Sequence, residues 1–155
     1  MAQVERYRHG SQTLIAMPVL SATVIEKGDF VALSALNETV VNVAAIADAG
    51  DAAANREAAA DAFLGIAQTA SASGETEDVV VDISLESIHE LTLQTAAALS
   101  FGDFVEIYAD TGGSHDQLCV AGSTSGIAVC VKEISSGTDF LAKLTQQDKL
   151  NLEQT

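Results

Sequence analysis

Tryptophan is absent from this chain, proline occurs once, and cations are scarce: seven Lys and Arg stand against 22 Asp and Glu, a formal charge of −15. Each shortage excludes something. Lys and Arg contacts to phosphate dominate nucleic-acid affinity, so direct binding to DNA or RNA is not expected. An anionic membrane surface would repel the chain for the same reason. Aromatic residues make up only 5% of a chain that is 48% hydrophobic, and much of the apolar count is Ala. Full burial of a large side chain contributes about 1.5–3 kcal/mol and Ala much less. The core is therefore expected to be light, with an oligomer or a partner adding stability. No apolar run is long enough to cross a membrane. The run Leu14 to Leu20 is short and carries Pro18, so it does not read as a secretory signal. Two cysteines without such a signal fit a reducing cytosol better than a disulfide framework.

What is present is a repeat. Lys27-Gly28-Asp29-Phe30-Val31-Ala32-Leu33 returns as Phe101-Gly102-Asp103-Phe104-Val105-Glu106-Ile107. Downstream of each copy comes a Gly-Ile-Ala run, at Gly65–Ala67 and at Gly126–Ala128. A Ser-Gly turn follows, at Ser73-Gly74 and Ser136-Gly137, and then a closing apolar strand, Val79–Val81 and Phe140-Leu141. Short β-branched or alternating runs with turns every ten or so residues predict a mainly β domain, a small barrel or sandwich built from two similar halves.

At 155 residues the chain is expected to form one domain. Residues 1–20 read as an extended N-terminal arm, residues 21–144 as the duplicated β-domain with halves at about 21–85 and 86–144, and residues 145–155 as a polar tail. One helix interrupts the β pattern over about 51–63, rich in Ala, with Asp51 as its N-cap. It reads as an insertion: Gly28 to Gly65 spans 37 positions and Gly102 to Gly126 spans 24. A surface helix covering one end of the barrel is the expectation for it.

Few residues suggest chemistry. Asp110-Thr111-Gly112 follows an apolar strand, as in homodimeric aspartic proteases, where two such Asp share a proton. The continuation Gly113-Ser114-His115-Asp116 is turn-like, and a hairpin loop explains it better. Asp110, His115 and Asp116 do not follow a calcium-loop spacing. Leu118–Ala121 and Ile127–Val131 read as a hairpin centred between Thr124 and Ser125, which would set Cys119 opposite Cys130. Both cysteines are expected to be reduced and buried, since no His/Asn set accompanies them. No catalytic residue, cofactor or metal ligand is expected.

Taken in order, Gly28-Asp29-Phe30-Val31, Leu64-Gly65-Ile66-Ala67, Ile88-His89-Glu90-Leu91, Phe101-Gly102-Asp103-Phe104-Val105 with Tyr108, Gly126-Ile127-Ala128 and Leu141-Ala142-Lys143-Leu144 resemble the capsid decoration (cement) proteins of tailed bacteriophages that carry a duplicated small β-module. The resemblance runs from about Ser21 to Leu144; the Ala-rich helix and the long arm depart from the simpler family pattern. It implies a non-enzymatic viral structural protein on the outer surface of the virion capsid, made in the host cytoplasm. It also implies binding to the major capsid protein, often as a homotrimer. The arm would then pair with a neighbouring sheet edge, through Val4, Arg6, Arg8, Leu14, Ile15, Met17 and Leu20, with Arg6 and Arg8 meeting acidic coat surface. The alternatives are a β-rich tail or adhesin subunit and, more remotely, the Asp110 protease.

Overall fold

The computed structural model describes residues 6–34, 38–113, 115–122 and 126–145, without the side chains of residues 115 and 116. Val4 and all but the first residue of the expected tail lie outside that range. Eleven strands, one α-helix and one 3-10 turn make up the described chain. The strands are β1 (Tyr7–His9), β2 (Leu14–Met17), β3 (Phe30–Leu33), β4 (Val40–Asn42), β5 (Phe63–Ala67), β6 (Val79–Asp82), β7 (Ile88–Thr92), β8 (Phe104–Ala109), β9 (His115–Ala121), β10 (Ala128–Cys130) and β11 (Asp139–Leu144). The helix, α1, is Ala52–Ala62. Asp51 caps it, its side chain accepting from the Ala54 N–H.

Two antiparallel sheets result, ordered β2-β6-β5-β3-β4 and β1-β7-β11-β10-β8-β9. Without β1 the two orders are the same, strand for strand. The duplication read from the sequence is therefore a duplication of topology. Matched hydrogen bonds confirm the correspondence. Asp29 N–H donates to Glu26 O and Asp103 N–H to Ser100 O, both at 3.1 Å. Each Asp side chain accepts in return from the residue three before it, Glu26 N–H at 2.9 Å and Ser100 N–H at 2.8 Å. Gly28 and Gly102 sit at φ 91° and 90°. That is the third position of a type II turn, where an L side chain is strained.

Four expectations need correction. The Gly-Ile-Ala runs are not equivalent: Gly28 N–H donates to Ala67 O, whereas Gly102 N–H donates to Cys130 O. Gly65-Ile66-Ala67 thus corresponds to Ala128-Val129-Cys130, two residues beyond the sequence match. On that count the first half carries 11 extra positions, 37 against 26, which is the length of α1. Next, the hairpin expected at Leu118–Val131 does not form, because β8 lies between β9 and β10. Then, β2 belongs to the first module as the counterpart of β7, so the arm does not extend to residue 20; among the described strands β1 alone stands outside the repeat. It crosses over to the outer edge of β7. Finally, the sheets do not close into barrels. Val19, two residues past β2, makes one parallel bridge to Val40 of β4, and Leu93, the residue after β7, makes one to Cys119 of β9. A single bridge is not a ladder.

The first sheet is covered on both faces: β3, β4 and β5 are buried almost throughout. Val31, Val40, Ala67, Val79 and Val81 form the core on one face. Phe30, Ala32, Val41 and Ile66 on the other join Leu91, Val105, Ile107 and Phe140 of the second sheet. In the second sheet β7, β8 and β11 alternate buried and half-buried instead. Helix α1 ties the modules together. Asn55, fully buried, donates to Asp48 Oδ1 and Asp110 O, and Arg56 pairs with Glu106 on β8 at 3.2 Å.

A polar seam runs through the junction. Arg6 is 4% exposed. Its Nε donates to Gly28 O at 2.7 Å and its Nη2 to Gln117 O at 3.1 Å, and the guanidinium lies 5.0 Å from the Phe30 ring centre. Gln117 accepts from the Phe30 N–H and donates to Asn42 Oδ1 at 2.8 Å. Asn42 donates in turn to Asp29 Oδ2 at 2.8 Å. Removing the Arg6 side chain would leave buried carbonyls from both modules without their donors, at about 1–3 kcal/mol each. Arg6→Ala is expected to lower the unfolding free energy in urea by about 3 kcal/mol. A loss below about 1 kcal/mol would show that apolar burial alone holds the seam.

Candidate interaction surface

The structure divides the seven residues of the expected arm. Arg6 faces inward and is engaged by carbonyls, so it is not presented to an acidic partner. Arg8 is exposed and pairs with Glu90 at 2.8 Å. Ile15 and Met17 pack against the core of the first module. Leu14 and Leu20 are exposed, at 51% and 46%. Leu20 borders an apolar groove of about 410 Å3 with Leu33, Ile46 and Ala62. Val4 lies outside the described residues.

Both strands of this segment pair with the chain's own sheets, β1 with β7 and β2 with β6. Strand β2 is an edge. Ile83 N–H donates to Thr13 O, so by antiparallel alternation Ile15 and Met17 bond inward. The backbone groups of Leu14 and Ala16 then point away from β6.

Cross-strand partners share a face. On the outer face of the second sheet Phe104 pairs with Val129, Val129 with Lys143, and Lys143 with Ile88. All four are half-buried. Leu141 and Glu90 form the next rung. A groove of about 430 Å3 lies over this face between Arg8, Glu90, Lys132, Ile134 and Leu141. The turn carrying Phe101 is held alongside the segment with Lys132 and Ile134, by Gly102 N–H to Cys130 O and by the Leu99–Ile134 bridge, and Phe101 is 77% exposed. Sequence reasoning passed over this face. The repeat itself held the signal, because Phe101 occupies the place of Lys27.

Other polar groups are structural in their surroundings. Asp82 and His89, both fully buried, meet where the modules join: His89 Nε2 lies 3.2 Å from Asp82 Oδ2 and 3.0 Å from Ser87 Oγ. Asp82 also accepts from the Ser84 N–H at 2.9 Å and Gln12 Nε2 at 3.1 Å. Burial pushes its carboxyl up, but the hydrogen bonds from His89, Ser84, Gln12 and Ser87 outweigh it and hold the pKa below the usual value. Asp110 turns its Oδ1 onto the Gly112 N–H at 2.8 Å, a local cap of the β8–β9 loop. The side chains of His115 and Asp116 lie outside the described residues, and among the described residues no three metal-ligating side chains gather.

Cys119 and Cys130 are buried and free. Their strands are separated by β8, about 10 Å apart across the sheet, beyond the reach of a disulfide. Burial pushes the Cys119 thiol up to about 12.

A scan against protein-family models matches none for this chain, and a search of curated proteins returns no relative. Among the described residues no helix is long and apolar enough to cross a membrane.

Two outcomes follow from the buried groups. Because the Asp82 pKa is depressed on folding, its stabilisation is full above the ordinary carboxylate pKa of about 3.9 and lost as pH falls through the folded value. The stability gap between wild type and Asp82→Asn is therefore expected to shrink as pH falls below about 4; a gap at pH 2 equal to that at about pH 5 would refute this. Neither cysteine should react with a thiol reagent in the native protein, while both react in denaturant. Rapid native labelling would contradict the burial.

Proposed function

We propose that this chain is a non-enzymatic decoration protein of a tailed-phage capsid, bound on the outer surface of the virion to the major capsid protein and assembling as a homotrimer. The observation that carries this reading is the duplicated module. The Gly-Asp-Phe-Val motifs, two of the ordered set on which the resemblance rests, occupy matched turns with matched hydrogen bonds in both halves. A module repeated as a rigid platform suits lattice binding.

The mechanism is linkage. A ligand that binds the assembled shell and not its separated subunits stabilises the shell by RT ln(1 + [L]/Kd), about 2.7 kcal/mol at a concentration one hundred times Kd. Packaged DNA presses outward on the junctions between coat subunits, and a protein bridging them adds burial there. The strong negative charge favours solubility of the unbound protein.

Co-sedimentation with expanded shells lacking the protein tests the reading, followed by heating. Saturable binding and a raised disruption temperature are the expected results. Absence of binding to expanded shells would overturn it and leave the tail or adhesin reading in front.

A further inference from the structure

Equivalent rows of the two sheets meet different surroundings. In the first sheet the row is Phe30, Ile66, Asp82 and Leu14. Its first three members are fully buried, under the Arg6 guanidinium and against the second module. The matching row of the second sheet, Phe104, Val129, Lys143 and Ile88, is half-buried, and no described residue of the chain covers it as the first row is covered.

Phe101 is a second, independent observation. Its turn makes the same hydrogen bonds as the turn that places Lys27 at the matching position. The turn thus has no need of an aromatic ring, yet one stands 77% exposed there in a chain with five Phe.

Charge gives a third. The described residues include six Lys and Arg, and three of them, Arg8, Lys132 and Lys143, stand on or around this one face. Glu90, paired to Arg8, and Asp139 line the same groove, so Lys132 and Lys143 are the cations that this face offers to carboxylates of a partner.

We infer that the outer face of the second sheet is a docking surface for an apolar patch flanked by carboxylates on a partner protein, with Phe101 as its anchor. The inference rests on the decoration reading, under which the partner is the assembled coat. The exposed ring supplies a large rigid contact at low entropic cost, and Lys132 and Lys143 set orientation by pairing with carboxylates on the partner.

The test titrates expanded shells with wild type, Phe101→Lys, the double variant Lys132→Glu/Lys143→Glu and Leu14→Ser, each shown to be folded by circular dichroism melting. Phe101→Lys copies the residue that the other module carries in the same turn, so the fold tolerates it. It is expected to weaken binding about tenfold or more. The charge variant should also bind more weakly, and added salt should reduce its binding less than that of wild type. If both bind as wild type does, or if only Leu14→Ser loses binding, the docking face lies elsewhere while the decoration role stands. If wild type itself does not bind the shells, the role and this assignment fall together.

Discussion

A buried guanidinium at the seam between two copies of one module constrains everything around it. Arg6 comes from outside the repeat and donates to carbonyls of both halves. Burial pulls its pKa down from the usual arginine value, opposed by the acidic groups of Cys119, which ionises only in the same alkaline range, Asp29, Asp139 and Glu90. Arginine stays charged through such shifts, and its planar fork reaches several fixed acceptors at once. With Arg6 in place, Glu90 N–H donates to Arg6 O, and β1 continues along β7. The crossing of the N-terminal segment onto the second sheet, which leaves β2 at the edge of the first among the described strands, is consistent with that anchor.

Duplication would give two equal halves if surroundings did not matter. They differ because one copy lies between covers and the other has a face to solvent. Ala32, fully buried, corresponds to Glu106, which is half-buried and paired to Arg56. Asp82, buried among donors, corresponds to Lys143 on the open face. The module tolerates these exchanges since the strand ladders and the Gly-Asp turns are set by backbone groups. Side chains on the outward row are then free to answer to burial in one copy and to water or a partner in the other.

Whether a feature could be read from the sequence depended on how local its cause was. The Gly28-Asp29 and Gly102-Asp103 turns were legible because positive φ and a self-capping carboxylate demand particular residue types. Helix α1 was legible from its Ala content and Asp51. The pairing of β8 between β9 and β10 was not, because adjacent runs joined by a Gly and Ser turn look like a hairpin whichever strand inserts. The two-residue slip between the Gly-Ile-Ala runs has a similar origin. Gly65 is small because Asp82 O approaches it, and Gly126 because Val105 O does, each within 2.3 Å of where a Cβ would stand. Identical residues there answer to different neighbours. Arg6 misled for a related reason: a cation near a chain end reads as exposed, and carbonyl acceptors that bury it leave no mark in composition.

Electrostatics joins the fold to the open face. A charge of −15 spread over 155 residues opposes approach to another acidic surface. The chain offsets this locally by gathering Arg8, Lys132 and Lys143 around apolar side chains on one sheet. Arg8 is paired there with Glu90, while Arg6 is taken up inside the molecule and Arg56 by Glu106. A protein with a light core has little stability to lend to an exposed Phe or to half-buried Val and Leu without return. Leu14, Leu20, Val24 and Leu85 are exposed as well. Phe101, at 77% the most exposed of these, is the one whose turn leads into Phe104 and its row with Val129 and Lys143, and that neighbourhood gives its exposure a physical rationale.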